Sequence, residues 1–322
     1  MSMDLNIAKG WINLADPRLG SEIVHATDDF FAAKERLIDP AEPVFVPGKY
    51  DEHGKWMDGW ESRRRRVPGH DHCIVRLGKP GFVHGIEIDT RNFTGNYPPE
   101  ASIEWCVSDA RIPPDGAVWE MLVPKTPLKG DSRLPLSVST NRPATHLRLN
   151  IFPDGGVARL RVWGQVARDL KPGELVDLAA QENGALPVSC NDEHFGKLAN
   201  LLAPGKAKNM GDGWETRRRR EPGHDWAIVA LAKPGTIEKL IIDTSHFKGN
   251  YPDRCFIQGA PLGASTDQAE SWPTILPEQK LSADSKHVFA GEILPHKPVA
   301  FLRLNIIPDG GVARLRALGR VG

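Results

Sequence analysis

Two fourteen-residue strings hold most of the side chains able to do chemistry: DGWESRRRRVPGHD from Asp58 to Asp71 and DGWETRRRREPGHD from Asp212 to Asp225. Each combines a glutamate, four consecutive arginines, a Pro-Gly turn, a histidine and an aspartate. Four adjacent guanidiniums repel one another and cannot be buried without acceptors around them. A strand through the run sends two to each face, so Arg63 and Arg65 share one side, as do Arg217 and Arg219 in the second copy. One pair of each run then meets protein carboxylates or carbonyls, and the other is free for an anionic ligand. Glu61 or Glu215 with His70 or His224 could divide the two proton transfers of a hydrolysis, with Asp71 or Asp225 as a nearby carboxylate orienting the imidazole. His70-Asp71-His72 has the composition of a metal-site fragment, but the second copy reads His224-Asp225-Trp226 and no further His or Cys recurs at ligand spacing. No metal ligand set and no cofactor is therefore assigned; a divalent metal is the one cofactor left open.

Two further blocks repeat downstream. IEIDTRNFTGNYPPE from Ile86 matches LIIDTSHFKGNYPDR from Leu240, and LRLNIFPDGGVARLRVWG from Leu147 matches LRLNIIPDGGVARLRALG from Leu302. The first adds Asn96 and Asn250 in a Gly-Asn turn expected to be left-handed, and places Asn92 opposite His246. The second puts Arg148 and Asn150 on one strand face and Arg159 with Arg161 on another, matched by Arg303, Asn305, Arg314 and Arg316. If PDGG joins the two strands as a hairpin, these side chains form one cationic, amide-bearing surface.

The elements that must position these groups follow from the spacing. The three blocks recur at offsets of 154, 154 and 155 residues, far longer than a solenoid unit, so the chain reads as a duplicated domain. An upstream match at offset 164 leaves about ten extra residues in the first copy between Ala32 and Met57. Apolar residues alternate with polar ones in short runs separated by Gly, Pro, Asn and Asp, which predicts an all-β chain of two tandem jelly-roll sandwiches over 1–167 and 168–322. Short helical segments are expected near 29–37 and 192–202.

With 41 basic and 41 acidic residues among 322, there is no broad positive field for nucleic acid. No apolar run approaches a membrane span. The start MSMDLNIAKG has no basic stretch leading into an apolar one, which predicts a cytoplasmic protein. Cys73, Cys106, Cys190 and Cys255 have alanine at the matching position of the other copy and read as small hydrophobes.

The motifs GWE[ST]RRRR-x-PGHD, IDT-x-x-F-x-GNYP and LRLN-x-x-PDGGVARLR, in order and twice over, resemble the allantoicase family. The resemblance implies a hydrolase of C–N bonds in linear amidines that converts allantoate to ureidoglycolate and urea, built from two galactose-binding-like jelly rolls and assembled as a homo-oligomer. The residue types suit that substrate, because its carboxylate wants a bidentate arginine and its ureido groups want Asn, Asp and Glu. The rival reading is a non-catalytic tandem jelly-roll module for a small anionic or sugar ligand. Because the second copy alone carries His246, it is the copy expected to work, with Arg217 or Arg219 on the carboxylate.

Overall fold

The computed structural model describes residues 10–322. Most of the N-terminal segment used above to infer compartment lies outside the described residues. The chain divides into two compact units, Met1–Ala167 and Arg168–Gly322, and each is built from strands with a few 3-10 turns.

One long strand organises each unit. In the first, Asp71–Asp89 pairs with Glu22–Ala26 and Ala144–Phe152 along its early part, then with Arg133–Ser137 and Arg159–Val166 along its end. Its partners change between Arg76 and Gly81, where the register breaks, so a single strand serves two layers. Alternation makes this possible: Cys73, Val75 and Leu77 are buried before the break, and Val83, Ile86 and Ile88 after it. Asp225–Asp243 repeats the arrangement, with its break between Ala230 and Gly235. The result is the all-β tandem jelly roll that the patterning predicts.

Three expectations change. The PDGG segment does not close a hairpin: Ala144–Phe152 pairs with Asp71–Asp89 and Glu100–Cys106, whereas Arg159–Val166 pairs with the other end of Asp71–Asp89 and with Ile12–Asn13. The segment instead carries the chain between layers through a cis Phe152–Pro153 bond, matched by cis Ile307–Pro308, and Gly156–Val157 pairs with Trp60–Glu61. Each arginine run is irregular backbone following the two-residue strand Trp60–Glu61 or Trp214–Glu215. The expected helices shrink to 3-10 turns at Lys34–Ile38 and Leu198–Leu202. Ahead of the first turn, Phe31 and Ala32 donate backbone hydrogen bonds to Glu61 O, as Phe195 and Gly196 do to Glu215 O, so those residues cannot be helical.

The extra residues of the first unit form a small hairpin, Tyr50–Asp51 with Gly54–Lys55. Cys73, Cys106 and Cys255 are buried free thiols and Cys190 is half-buried. Among the described residues, no helix is long and apolar enough to cross a membrane.

Candidate functional site

The ends of the long strands and the arginine runs converge on one framework in both units. Trp214 is fully buried and its Nε1 donates to Asp192 O at 2.8 Å. That fixes Asp192, whose carboxylate accepts from Arg217 N at 2.9 Å and Arg217 Nε at 2.7 Å. Arg219 N donates to Asp309 Oδ2 at 2.8 Å, and its Nη2 to Asp225 Oδ1 at 2.8 Å, where Asn191 Nδ2 also donates at 2.7 Å. The first unit has the same bonds: Trp60 to Asp28 O, Arg63 to Asp28, Arg65 N to Asp154, and Arg65 Nη1 to Asp71, with Thr27 in place of Asn191. Burial alone would raise the Asp28 and Asp192 carboxyls, yet the hydrogen bonds from Arg63 and Arg217 hold both below the ordinary aspartate range.

The run does split into committed and free members, with the assignment reversed from that expected for the ligand. Arg63, Arg65, Arg217 and Arg219 are the carboxylate-bound members. Arg64, Arg66, Arg218 and Arg220 are exposed and form no ion pair among the described residues. Asp71 and Asp225, read as partners of the imidazoles, are buried and hold Arg65 and Arg219 instead. This removes Asp71 from any His-Asp-His metal fragment, and among the described residues no cluster of three or more His, Cys, Asp or Glu could hold a metal ion.

Glu215 accepts a hydrogen bond from Asn250 Nδ2, and Glu61 accepts one from Asn96 Nδ2 at 2.7 Å. Around Glu215 opens a cleft of about 550 Å³ lined also by Arg218, Arg219, Asn250, Tyr251 and Asp309. The turn expected to be left-handed at Gly-Asn is not so; the left-handed residues are Asn92 and His246, at φ 70° and 72°. Both satisfy their backbone N–H with an aspartate, Asp131 or Asp284, and His246 Nε2 lies 3.0 Å from Ala207 O. Asparagine and histidine are among the residues that adopt the left-handed conformation most readily, which suits both to this position. His224 is likewise not joined to Glu215: its Nε2 sits 3.0 Å from Asn305 Oδ1. His70 lies against Phe152 in a second cleft, of about 570 Å³.

The remaining predicted ligands separate as the absent hairpin requires. Arg159 is 1% exposed and donates to Ala41 O, Asp58 O and Asp58 Oδ2; Arg314 is 2% exposed and does the same with Gly205 O, Asp212 O and Asp212 Oδ2. Both are clasps that fasten the segment before Trp60 or Trp214, not groups open to a ligand. Arg148 and Asn150 line the second cleft, whereas Arg303 and Asn305 are almost fully buried. Arg218, Asp309 and Asp154 were not singled out by residue type. The weak upstream match at offset 164 does contain Asp28 and Asp192, the partners that decide which arginines are free.

The family model described as the allantoicase repeat matches this chain twice, over 12–167 and 176–322. The chain belongs to the allantoicase family. The protein named probable allantoicase 2 from Burkholderia pseudomallei is 59% identical over 97% of this chain and 95% of its own length. The probable allantoicase of Ralstonia nicotianae is 55% identical over 95% of this chain and 94% of its own length. The crystal structure of allantoicase from Saccharomyces cerevisiae superposes with a TM-score of 0.83 at 35% identity, covering 96% of this chain and 93% of that one. Each allantoicase repeat here contains one complete copy of the Trp-Asp-Arg framework.

Proposed function

We infer that the chain hydrolyses allantoate to ureidoglycolate and urea, and that the Glu215 cleft is where it does so. The observation that carries the site is a carboxylate held by one amide, Glu215 on Asn250, beside an arginine, Arg218, that no protein carboxylate neutralises. Allantoate bears one carboxylate and two ureido groups on a single carbon. Arg218 takes the carboxylate through charge-assisted hydrogen bonds, and Asn250 with Asp309 complements a ureido group. Glu215 removes a proton from water as its oxygen bonds to the central carbon. The C–N bond to one ureido nitrogen breaks, and the same carboxyl returns the proton to that nitrogen, releasing urea.

The second repeat is favoured because Glu215 and the free Arg218 line one cleft. In the first, burial pushes the Glu61 carboxyl up against the hydrogen bond from Asn96 and the field of Lys55, which belongs to the extra hairpin. With this reading go a small-molecule substrate, a cytoplasmic location, a homo-oligomeric state and no assigned cofactor. Purified protein incubated with allantoate should release urea, and Glu215→Gln and Arg218→Ala should each lower that release. An intact folded chain that releases no urea would sink the reading.

A further inference from the structure

The second cleft plays no part in the chemistry assigned to Glu215. Its floor lies in the first unit, where strands Glu100–Cys106 and Ala144–Phe152 pair with Arg148 opposite Glu104 and Asn150 opposite Ser102. Arg148 Nε and Nη2 reach Glu104 Oε2 at 2.8 and 2.7 Å, and Asn150 Nδ2 donates to Ser102 Oγ at 3.1 Å and to the same Glu104 oxygen at 2.9 Å. These bonds use one carboxylate oxygen and the amide nitrogen. Glu104 Oε1 and Asn150 Oδ1 accept no hydrogen bond from any described residue, and both residues line the cleft. At the rim stands the His72 ring, without a hydrogen bond to its nitrogens among the described residues. Burial, followed by the fields of His25 and Arg148, pushes its pKa down to about 4, so it is a neutral imidazole with one donor and one acceptor. Phe152 and Met121 supply an apolar wall.

The second unit keeps the arginine and the asparagine but closes the site. Gln258 replaces Glu104, Phe256 replaces Ser102 and Trp226 replaces His72 at the same register positions. Asn305 Oδ1 now meets His224 Nε2, Asn305 Nδ2 donates to Gln258 Oε1 at 3.1 Å, and Trp226 lies 5.2 Å from the Arg303 guanidinium. The acceptors open in one copy are filled from within in the other. A ligand with matching donors can hydrogen-bond to these acceptors in place of water.

We propose that the first unit carries a second small-molecule site, selective for a ureido group. Two N–H donors of that group meet Glu104 Oε1 and Asn150 Oδ1, the carbonyl accepts from His72, and the plane rests on Phe152. The site follows from its own acceptor geometry; only the choice of a ureido compound over another planar N–H donor rests on the reaction proposed above.

The test uses hydantoate, a ureido carboxylate with no second ureido group to expel, titrated calorimetrically into full-length Arg64→Ala/Arg218→Ala protein, which lacks Arg218 of the Glu215 cleft and its counterpart in the first run. Saturable binding is expected, weakened at least about tenfold by His72→Trp and by Ser102→Phe, each of which installs the residue of the closed copy. N-acetylglycine, which lacks the terminal amide N–H groups, should bind at least about tenfold more weakly than hydantoate. Absence of hydantoate binding in this background, binding unchanged in both substituted proteins, or equal binding of N-acetylglycine would overturn the proposal. Urea release by the wild-type chain, measured in parallel, tests the hydrolase reading separately, because hydantoate binding does not require turnover.

Discussion

The two repeats agree where arginine meets aspartate and differ where a ligand could enter. Arg63–Asp28, Arg65–Asp71 and Arg159–Asp58 have counterparts in Arg217–Asp192, Arg219–Asp225 and Arg314–Asp212, and Asp28 and Asp192 also accept from the backbone N–H of the arginine each one pairs with. Between strands, by contrast, Glu104 has become Gln258 and His72 has become Trp226. Removing the partner of a buried charge costs several kcal/mol, which applies to the buried Arg159–Asp58 and Arg314–Asp212 pairs and couples the members of each. A cleft wall carries no such coupling, so one copy can stay open while the other fills.

The largest expected effect concerns which repeat works. Glu215→Gln should lower the rate of urea release from allantoate about 10² to 10⁴-fold, the range for one general acid-base group, and Glu61→Gln should cost less. Steady-state kcat for both variants decides it, and a larger loss for Glu61→Gln would transfer the chemistry to the first repeat.

The clasps should respond alike in the two units. Arg314→Met leaves the Asp212 carboxylate and the carbonyls of Asp212 and Gly205 without this donor, and Arg159→Met does the same to Asp58 and Ala41. Each is expected to destabilise its unit by about 3–5 kcal/mol, read from denaturant midpoints. Values below about 1 kcal/mol would mean the clasp is replaceable by water.

Neighbouring arginines should separate by function. Arg218→Ala should raise KM for allantoate about 10 to 150-fold, the equivalent of about 1.5–3 kcal/mol for a charge-assisted hydrogen bond. Arg217→Ala should leave KM within about threefold, because its exposed pair with Asp192 is worth about 0–1 kcal/mol. The reverse order would restore Arg217 as the ligand group.

The smallest effect is on acid stability. The Asp28 and Asp192 carboxyls are held low in the folded chain, so their contribution is present above the unfolded aspartate pKa of about 3.9 and disappears as pH falls through the folded value. Asp192→Asn should therefore reduce stability near neutral pH and make the acid-side decline shallower. A parallel decline in variant and wild type, followed by tryptophan fluorescence across pH, would show that Asp192 is not responsible.

Much of this molecule was determined by its residues alone. Period-two alternation around Ile86 and Leu147 identifies strands, because a strand that buries one face needs it. Three motifs recurring at a nearly constant offset identify a duplication, and the crowding of four guanidiniums requires carboxylates for some of them. Tertiary structure decided the rest. Only the fold brings Asp28 and Asp192 under the arginine runs, from about 35 and 25 residues away in sequence, and so determines that Arg64 and Arg218 are the free members. Only the layer crossing at Pro153 and Pro308 separates Arg148 from Arg159, since strands adjacent in sequence need not be neighbours in a sheet. Whether an asparagine amide is satisfied by its own protein or left open to a cleft depends on what stands across the next strand: Ser102 and Glu104 in one repeat, Phe256 and Gln258 in the other. Hydrogen bonding is directional and short-ranged, so residue type gives the capacity to bond and three-dimensional placement alone gives the partner.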